Sequence, residues 1–135
     1  MTATDPAVGV LIVDDQAPFR AVARTVVDLA PGFEVVAEVE SGEAAVEAAG
    51  EHRPGLVLMD INLPGINGIE ATRRLLADQG PAGSARVVLM STYTEDDLPA
   101  DARACGAVAY VHKEDLSPAL LRSLWDSPTP ATDDR

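Results

Sequence analysis

The segment Leu56-Val57-Leu58-Met59-Asp60-Ile61-Asn62-Leu63-Pro64-Gly65-Ile66-Asn67-Gly68 runs four large apolar residues into a carboxylate, then turns through Pro and Gly. Such a run reads as a short strand buried on both faces, and Pro64, Gly65 and Gly68 mark the loop after it. Asp60 then stands where the strand leaves the core. In open α/β sheets that edge is where ligands bind. A carboxylate there can act as a nucleophile or as a metal ligand. It can equally be a loop Asp that caps the next helix.

Reading outward from this segment, strand-like and helix-like stretches alternate five times. Val8 to Val13 is an apolar run ending at Asp14-Asp15. Pro18 to Leu29 carries Phe19, Val22, Ala23, Val26, Val27 and Leu29 at helical spacing, and Pro31-Gly32 stops it. Phe33 to Val39 is a valine-rich second strand, and Ser41 is a candidate N-cap for an alanine-rich helix to Gly50. The Asp60 strand is third, followed by a helix from about Gly68 to Asp78 with Ile69, Leu75 and Leu76 inward. Arg86 to Met90 is the fourth strand, a fourth helix covers about Asp96 to Cys105, and Ala107 to His112 is the fifth strand. Leu116 to Trp125 closes the pattern as an amphipathic helix with Leu116, Leu120, Leu121 and Leu124 on one stripe. The alternation predicts an α/β fold, a parallel sheet with helices on both faces. Right-handed crossovers then put every strand-to-helix loop on one edge. Residues 1–7 are expected to be a disordered N-terminus, 8–125 one domain, and 126–135 a disordered tail or linker stub.

Bulk properties narrow the function. A chain of 135 residues with 47% hydrophobic residues can bury a core of ordinary size without staples. The net charge of -12 argues against a nucleic-acid surface, which needs clustered Lys and Arg, and against anionic membranes. One cysteine, Cys105, cannot form an internal disulfide, and no signal-peptide pattern or membrane-length apolar run is present. A cytoplasmic protein with a protein or cation partner is expected.

The strand ends hold the chemistry. Strand one delivers Asp14-Asp15, strand three Asp60, strand four Ser91-Thr92, and strand five Lys113. Singly, each has an ordinary reading: a turn, a loop hydroxyl, a solvated lysine. Together on one edge they suit phosphoryl transfer to a carboxylate. Clustered carboxylates repel, and a divalent cation such as Mg²⁺ relieves that repulsion. The backbone carbonyl of Asn62 can add an oxygen. Lys113 would balance a dianionic phosphoryl group, and the Ser91 hydroxyl could donate to one of its oxygens.

On Val10-Leu11-Ile12-Val13-Asp14-Asp15, the Met59 to Gly68 loop, Val88-Leu89-Met90-Ser91 and Tyr110-Val111-His112-Lys113, the chain resembles the receiver domain of two-component response regulators. The resemblance runs from about Val8 to Leu124 and is closest to receivers usually attached to a LuxR-type helix-turn-helix. It implies a flavodoxin-like fold with five parallel strands in the order 2-1-3-4-5. It implies Asp60 as the phosphoacceptor, served by a sensor histidine kinase, a phosphotransfer protein or a small acyl phosphate. Asp14, Asp15, Asp60 and the Asn62 carbonyl would hold Mg²⁺, or Mn²⁺ in its place. Ser91 and Tyr110 would be the switch pair and Lys113 the phosphoryl partner. The face of the fourth helix, fifth strand and fifth helix would meet a downstream protein or, after phosphorylation, a second copy of the chain.

Departures from the family pattern sit near the phosphate position. Thr92 replaces a small apolar residue, and with Tyr93 it is expected to affect access to Asp60; Glu114 follows Lys113 where many members have proline. Pro99 would break a helix capped at Thr94, so a shortened or mobile first turn is expected in the fourth helix. The expected function is a stand-alone receiver, not an enzyme with a substrate of its own. The rival readings are the receiver part of a DNA-binding transcriptional regulator, a phosphate sink, and a small Mg²⁺-dependent aspartyl-phosphate phosphatase. The last needs an acid two residues after the nucleophile, where this chain has Asn62.

Overall fold

A computed structural model describes residues 7–79, 85–92 and 100–126. Strands β1 (Val8–Val13), β2 (Phe33–Val39), β3 (Leu56–Asp60), β4 (Arg86–Ser91) and β5 (Ala109–His112) form one sheet in the order β2-β1-β3-β4-β5. Every pairing is parallel, and the Leu58↔Val88 and Asp60↔Met90 register aligns β3 with β4. Helices α1 (Ala17–Leu29), α2 (Gly42–His52), α3 (Gly68–Gln79) and α4 (Pro118–Asp126) cover it.

The two faces follow from side-chain alternation along the strands. Val10, Ile12, Leu58, Val88 and Met90 pack with Ala23, Val26 and Val27 of α1 and Leu121 of α4. Leu11, Val13, Val57, Met59 and Leu89 pack on the other side with Ala45 and Ala49 of α2 and Ile69 and Leu75 of α3. All five β3 residues are buried, as a central strand with helices on both sides requires. Replacing Leu58 with Ala would leave a cavity costing about 2 to 5 kcal/mol.

Several expectations need correcting. Val22 and Leu29, counted in the helical apolar spacing of the first helix, are 51% and 66% exposed because that helix buries its Ala23, Val26 and Val27 line, with Phe19 packed beside it. Helix α2 runs past Gly50 to His52; it ends at Arg53, which takes a left-handed conformation before Pro54. Ser41 caps it as expected, its hydroxyl accepting from the Ala44 N–H at 3.1 Å. The fifth strand starts at Ala109, two residues later than expected, and the closing helix starts at Pro118. Ser117 caps that helix through the Leu120 N–H at 3.1 Å, with Pro118 in the first turn, so Leu116 lies outside it. The described part of the fourth helix, Ala100–Ala104, is a 3-10 helix that ends before Gly106, whose φ is +102°. The expected mobile turn near Thr94 and Pro99 lies outside the described residues, as do residues 1–6 and 127–135 of the proposed termini. No helix among the described residues is long and apolar enough to cross a membrane.

A candidate phosphoryl and cation site

The parallel topology places the C-terminal ends of β1, β3, β4 and β5 side by side, and the loops after them form one cleft. Asp15, Gln16, Asp60, Asn62, Thr92 and Lys113 line it. Asp60 is pinned from both directions. The Ile61 N–H donates to the Met90 carbonyl at 3.0 Å, and the Gly68 N–H donates to the Ile61 carbonyl at 2.8 Å. A Cβ on Gly68 would collide with the Asp60 carbonyl oxygen, so the start of α3 packs directly on the end of β3 only because residue 68 has no side chain.

Asp14 is fully buried, Asp60 is 4% exposed, and Asp15 faces solvent. One oxygen from each of the three carboxylates lies within 4.8 Å of the others. Asp14 Oδ1 accepts from the Gln16 N–H at 2.8 Å, and Asp60 Oδ1 accepts from the Asn62 N–H at 3.3 Å. These turn bonds aim the second oxygens at Lys113. Its ammonium is 2.7 Å from Asp14 Oδ2 and 3.4 Å from Asp60 Oδ2, at 11% side-chain exposure. The contact with Asp14 Oδ2 lies off the hydrogen-bonding direction, so that buried oxygen has charge compensation and no directed hydrogen bond.

This leaves the cluster electrostatically unbalanced: three acids face one ammonium. Burial, and then the nearby Asp14 charge, push the Asp60 carboxyl up to about 6, while Lys113 and the Asn62 N–H pull the other way. An exposed acid beside two buried ones, with a buried carboxylate oxygen that lacks a directed hydrogen bond, fits a hard divalent cation: it prefers carboxylate oxygens and keeps several waters.

The remaining residues singled out from the sequence fall as follows. Ser91 is buried at the last position of β4, and Thr92 stands exposed at the rim of the cleft. Tyr93 lies outside the described residues. Tyr110 is half-buried against the α2 and α3 side of the core, and its hydroxyl donates to the Ala102 carbonyl at 3.0 Å. Its ring is thus tied to the segment before β5. His112 bridges two loops: Nδ1 accepts from the Glu114 N–H at 3.2 Å, and Nε2 lies 3.1 Å from the Thr92 carbonyl. A ring that accepts at Nδ1 carries its proton on Nε2 and can donate it to Thr92.

Three contributors escaped the sequence reading. Gln16 orients Asp14 through its backbone. The Arg20 guanidinium donates to the Asp14 carbonyl at 2.7 Å, tying the first turns of α1 to the residue after β1. The Phe19 ring, read as core, has the Lys113 ammonium 4.7 Å above its centroid. The only available signal was their position within six residues of Asp14, at the N-cap and on the first turns of α1.

Fold and site together define a doubly wound α/β protein whose charged cleft lies at the carboxyl edge of its sheet. The family model of the response regulator receiver domain matches residues 10–124, and the chain belongs to that family. The chain is 36% identical over 115 residues to the transcriptional regulatory protein DegU of Brevibacillus brevis, covering 85% of this chain and 48% of the relative. It is 38% identical over 105 residues to the response regulator GacA of Pseudomonas aeruginosa, covering 77% and 47%. It thus spans about half the length of these curated relatives. Among solved structures, the response regulator domain of Thermotoga maritima CheB superposes with a TM-score of 0.78 at 31% identity, covering 90% and 96%. A LuxR-family two-component response regulator from Aurantimonas sp. SI85-9A1 gives 0.77 at 29%, covering 94% and 91%. The expected flavodoxin-like topology and the receiver assignment both stand.

Proposed function

We propose that this chain takes a phosphoryl group on Asp60 from a histidine kinase or phosphotransfer protein and passes the signal on by a change of conformation. The observation that carries the reading is the buried Asp60 carboxylate, grouped with Asp14 and Asp15 and within 3.4 Å of the Lys113 ammonium, in the lining of an open cleft. Burial and the Asn62 N–H hold the carboxylate in one orientation, with Oδ2 toward the ammonium. In the transfer, an Asp60 oxygen forms a bond to phosphorus as the bond from phosphorus to the donor's nitrogen or oxygen breaks, and the leaving group takes up a proton. Lys113 neutralises oxygen charge on the transferred group, and Ser91 donates to another of its oxygens. Asp14, Asp15, Asp60 and the Asn62 carbonyl would hold Mg²⁺, or Mn²⁺, which supplies positive charge to the phosphoryl oxygens when bound.

The switch rests on differential contact. A phosphoryl group adds charge and acceptor oxygens next to Ser91 and Lys113, so it favours whichever loop arrangement brings donors closest. Ser91 is followed by Thr92, whose carbonyl meets His112, and Tyr110 stands two residues before that histidine on β5. Movement at Ser91 therefore reaches β5, and through it a face shared with α4 and the segment before β5. A bias of about 2 to 3 kcal/mol would shift the ratio of states roughly thirty- to a hundredfold.

Two rival readings meet specific observations. The relatives' greater length supports a receiver joined to an effector, and the phosphoacceptor chemistry is common to that reading and the stand-alone one. The phosphatase reading lacks its general acid, since Asn62 lines the cleft two residues after Asp60. The test is incubation with acetyl phosphate and Mg²⁺ followed by intact mass. One added phosphoryl group, absent in Asp60→Asn, is expected; no gain from acetyl phosphate or from histidine kinases would overturn the reading.

A further inference from the structure

Lys113 is the only lysine in a chain with nine arginines, and its ammonium has three N–H bonds to place. Two sides face carboxylate oxygens, Asp14 Oδ2 at 2.7 Å and Asp60 Oδ2 at 3.4 Å. On another side the face of the Phe19 ring lies 4.7 Å away. The two kinds of partner differ in what happens during function. A divalent cation competes with the ammonium for the same carboxylates, and phosphorylation converts Asp60 itself. The ring carries no net charge and takes part in neither event, yet its quadrupole attracts a cation.

The ring is also held on a rigid support. Phe19 lies in the first turns of α1 and is half-buried against the core cluster of α1 and α4. Its N–H donates to the Gln16 carbonyl at 3.1 Å, and the neighbouring Arg20 ties the same turn to the Asp14 carbonyl at 2.7 Å. The ring therefore keeps a fixed distance from the end of β1, and so from Asp60 across the β1–β3 pairing.

We propose that Phe19 is a positioning residue for the proposed phosphoryl transfer: its ring face holds the Lys113 ammonium beside Asp60 when the carboxylates are occupied by a cation. This rests on Asp60 being the phosphoacceptor. A ring that excludes water on one side and attracts charge on its face keeps the lysine from swinging into solvent. Phe19→Leu keeps apolar bulk and removes the quadrupole. A trifluorinated phenylalanine at position 19 keeps the shape and weakens the face, while Phe19→Tyr keeps both.

The experiment has two readouts. In the proton NMR spectrum the Cε protons of the single lysine should lie upfield in the wild type through the ring current of Phe19, and return to ordinary positions in Phe19→Leu. In phosphoryl uptake from acetyl phosphate and Mg²⁺, followed by intact mass, Phe19→Leu and the trifluorinated variant should be about three- to tenfold slower. Phe19→Tyr should match the wild type, and the Mg²⁺ concentration for half-maximal uptake should stay the same in all four proteins. A wild-type lysine without the upfield shift overturns the proposal. So do equal uptake rates in the wild type and the trifluorinated variant, which decides the matter even if Phe19→Leu fails to fold. Absence of uptake by the wild type with the upfield shift present would instead overturn the assignment of Asp60.

Discussion

The two ends of the sheet treat charge in opposite ways. At the amino ends of the strands, Arg86 lies 4.2 Å from the centroid of Trp125 and donates to the Trp125 carbonyl at 2.6 Å. Trp125 meets Phe33 edge to face at 6.2 Å. Arg122 covers the other ring, donates to the Pro31 carbonyl at 3.3 Å, and pairs with Asp126 at 3.1 Å. Each cation there has an acceptor and an aromatic face. At the carboxyl ends, three acids cluster and one ammonium pairs with two of them, one buried oxygen lacks a directed hydrogen bond, and Asp60 is pushed toward its neutral form. One end fastens α4 to the sheet. The other stores an excess of negative charge that a cation can relieve and that a phosphoryl group would deepen.

Breaking the unbalanced end should have the larger effects. Asp60→Asn should abolish phosphoryl uptake by intact mass while leaving the far-ultraviolet circular dichroism unchanged. Lys113→Met removes the only ammonium beside two buried carboxylates and should destabilise the metal-free protein by about 2 to 4 kcal/mol in urea denaturation, since a stranded buried charge is costly. Added Mg²⁺ should recover part of that loss; no recovery would remove the cation from the cleft.

The pH dependence sharpens the same contrast. The Asp60 carboxyl titrates at about 6 when folded against an ordinary value of 3.8, so between these values the folded state holds more protons than the unfolded one. The stability that Asp60 contributes to the metal-free protein should therefore be fully present below the ordinary value and be lost as pH rises through about 6, on the order of 1 to 3 kcal/mol after allowance for solvent in the open cleft. Urea midpoints between pH 4 and 7.5 should show that slope, and Asp60→Asn should flatten it. A slope that survives in Asp60→Asn assigns it to another group.

The smallest effect belongs to the paired end. Trp125→Leu removes the cation–π and edge-to-face contacts while keeping apolar bulk, and should cost about 1 to 2 kcal/mol. Phosphoryl uptake and its Mg²⁺ dependence should not change. A change in Mg²⁺ dependence would show that the two ends are coupled through the sheet.

Legibility from the chain tracks the range of the interactions involved. The apolar runs of β1, β3 and β4 and the loop after Asp60 are local patterns, and their parallel order follows from short alternating elements. The misread positions each answer to something distant or competing. Leu29 and Val22 fit a helical stripe, but the width of the sheet-facing line on α1 leaves them exposed. Gly50 looked like a stop, but a helix can tolerate it when Pro54 and a left-handed Arg53 end the helix later. The Ser117-Pro118 start was readable from capping rules and was masked by the leucine stripe beginning at Leu116.

The order of residues along the chain was enough to put Asp14, Asp15, Asp60, Ser91 and Lys113 on one edge, because strand ends and crossover handedness are local and nearly invariant. It could not order them by burial. That Asp14 is buried and Asp15 exposed, that Lys113 leans closer to Asp14 than to Asp60, and that Phe19 turns its ring toward the ammonium depend on distances between segments far apart along the chain. Such distances exist only once the strands have paired and the helices have packed.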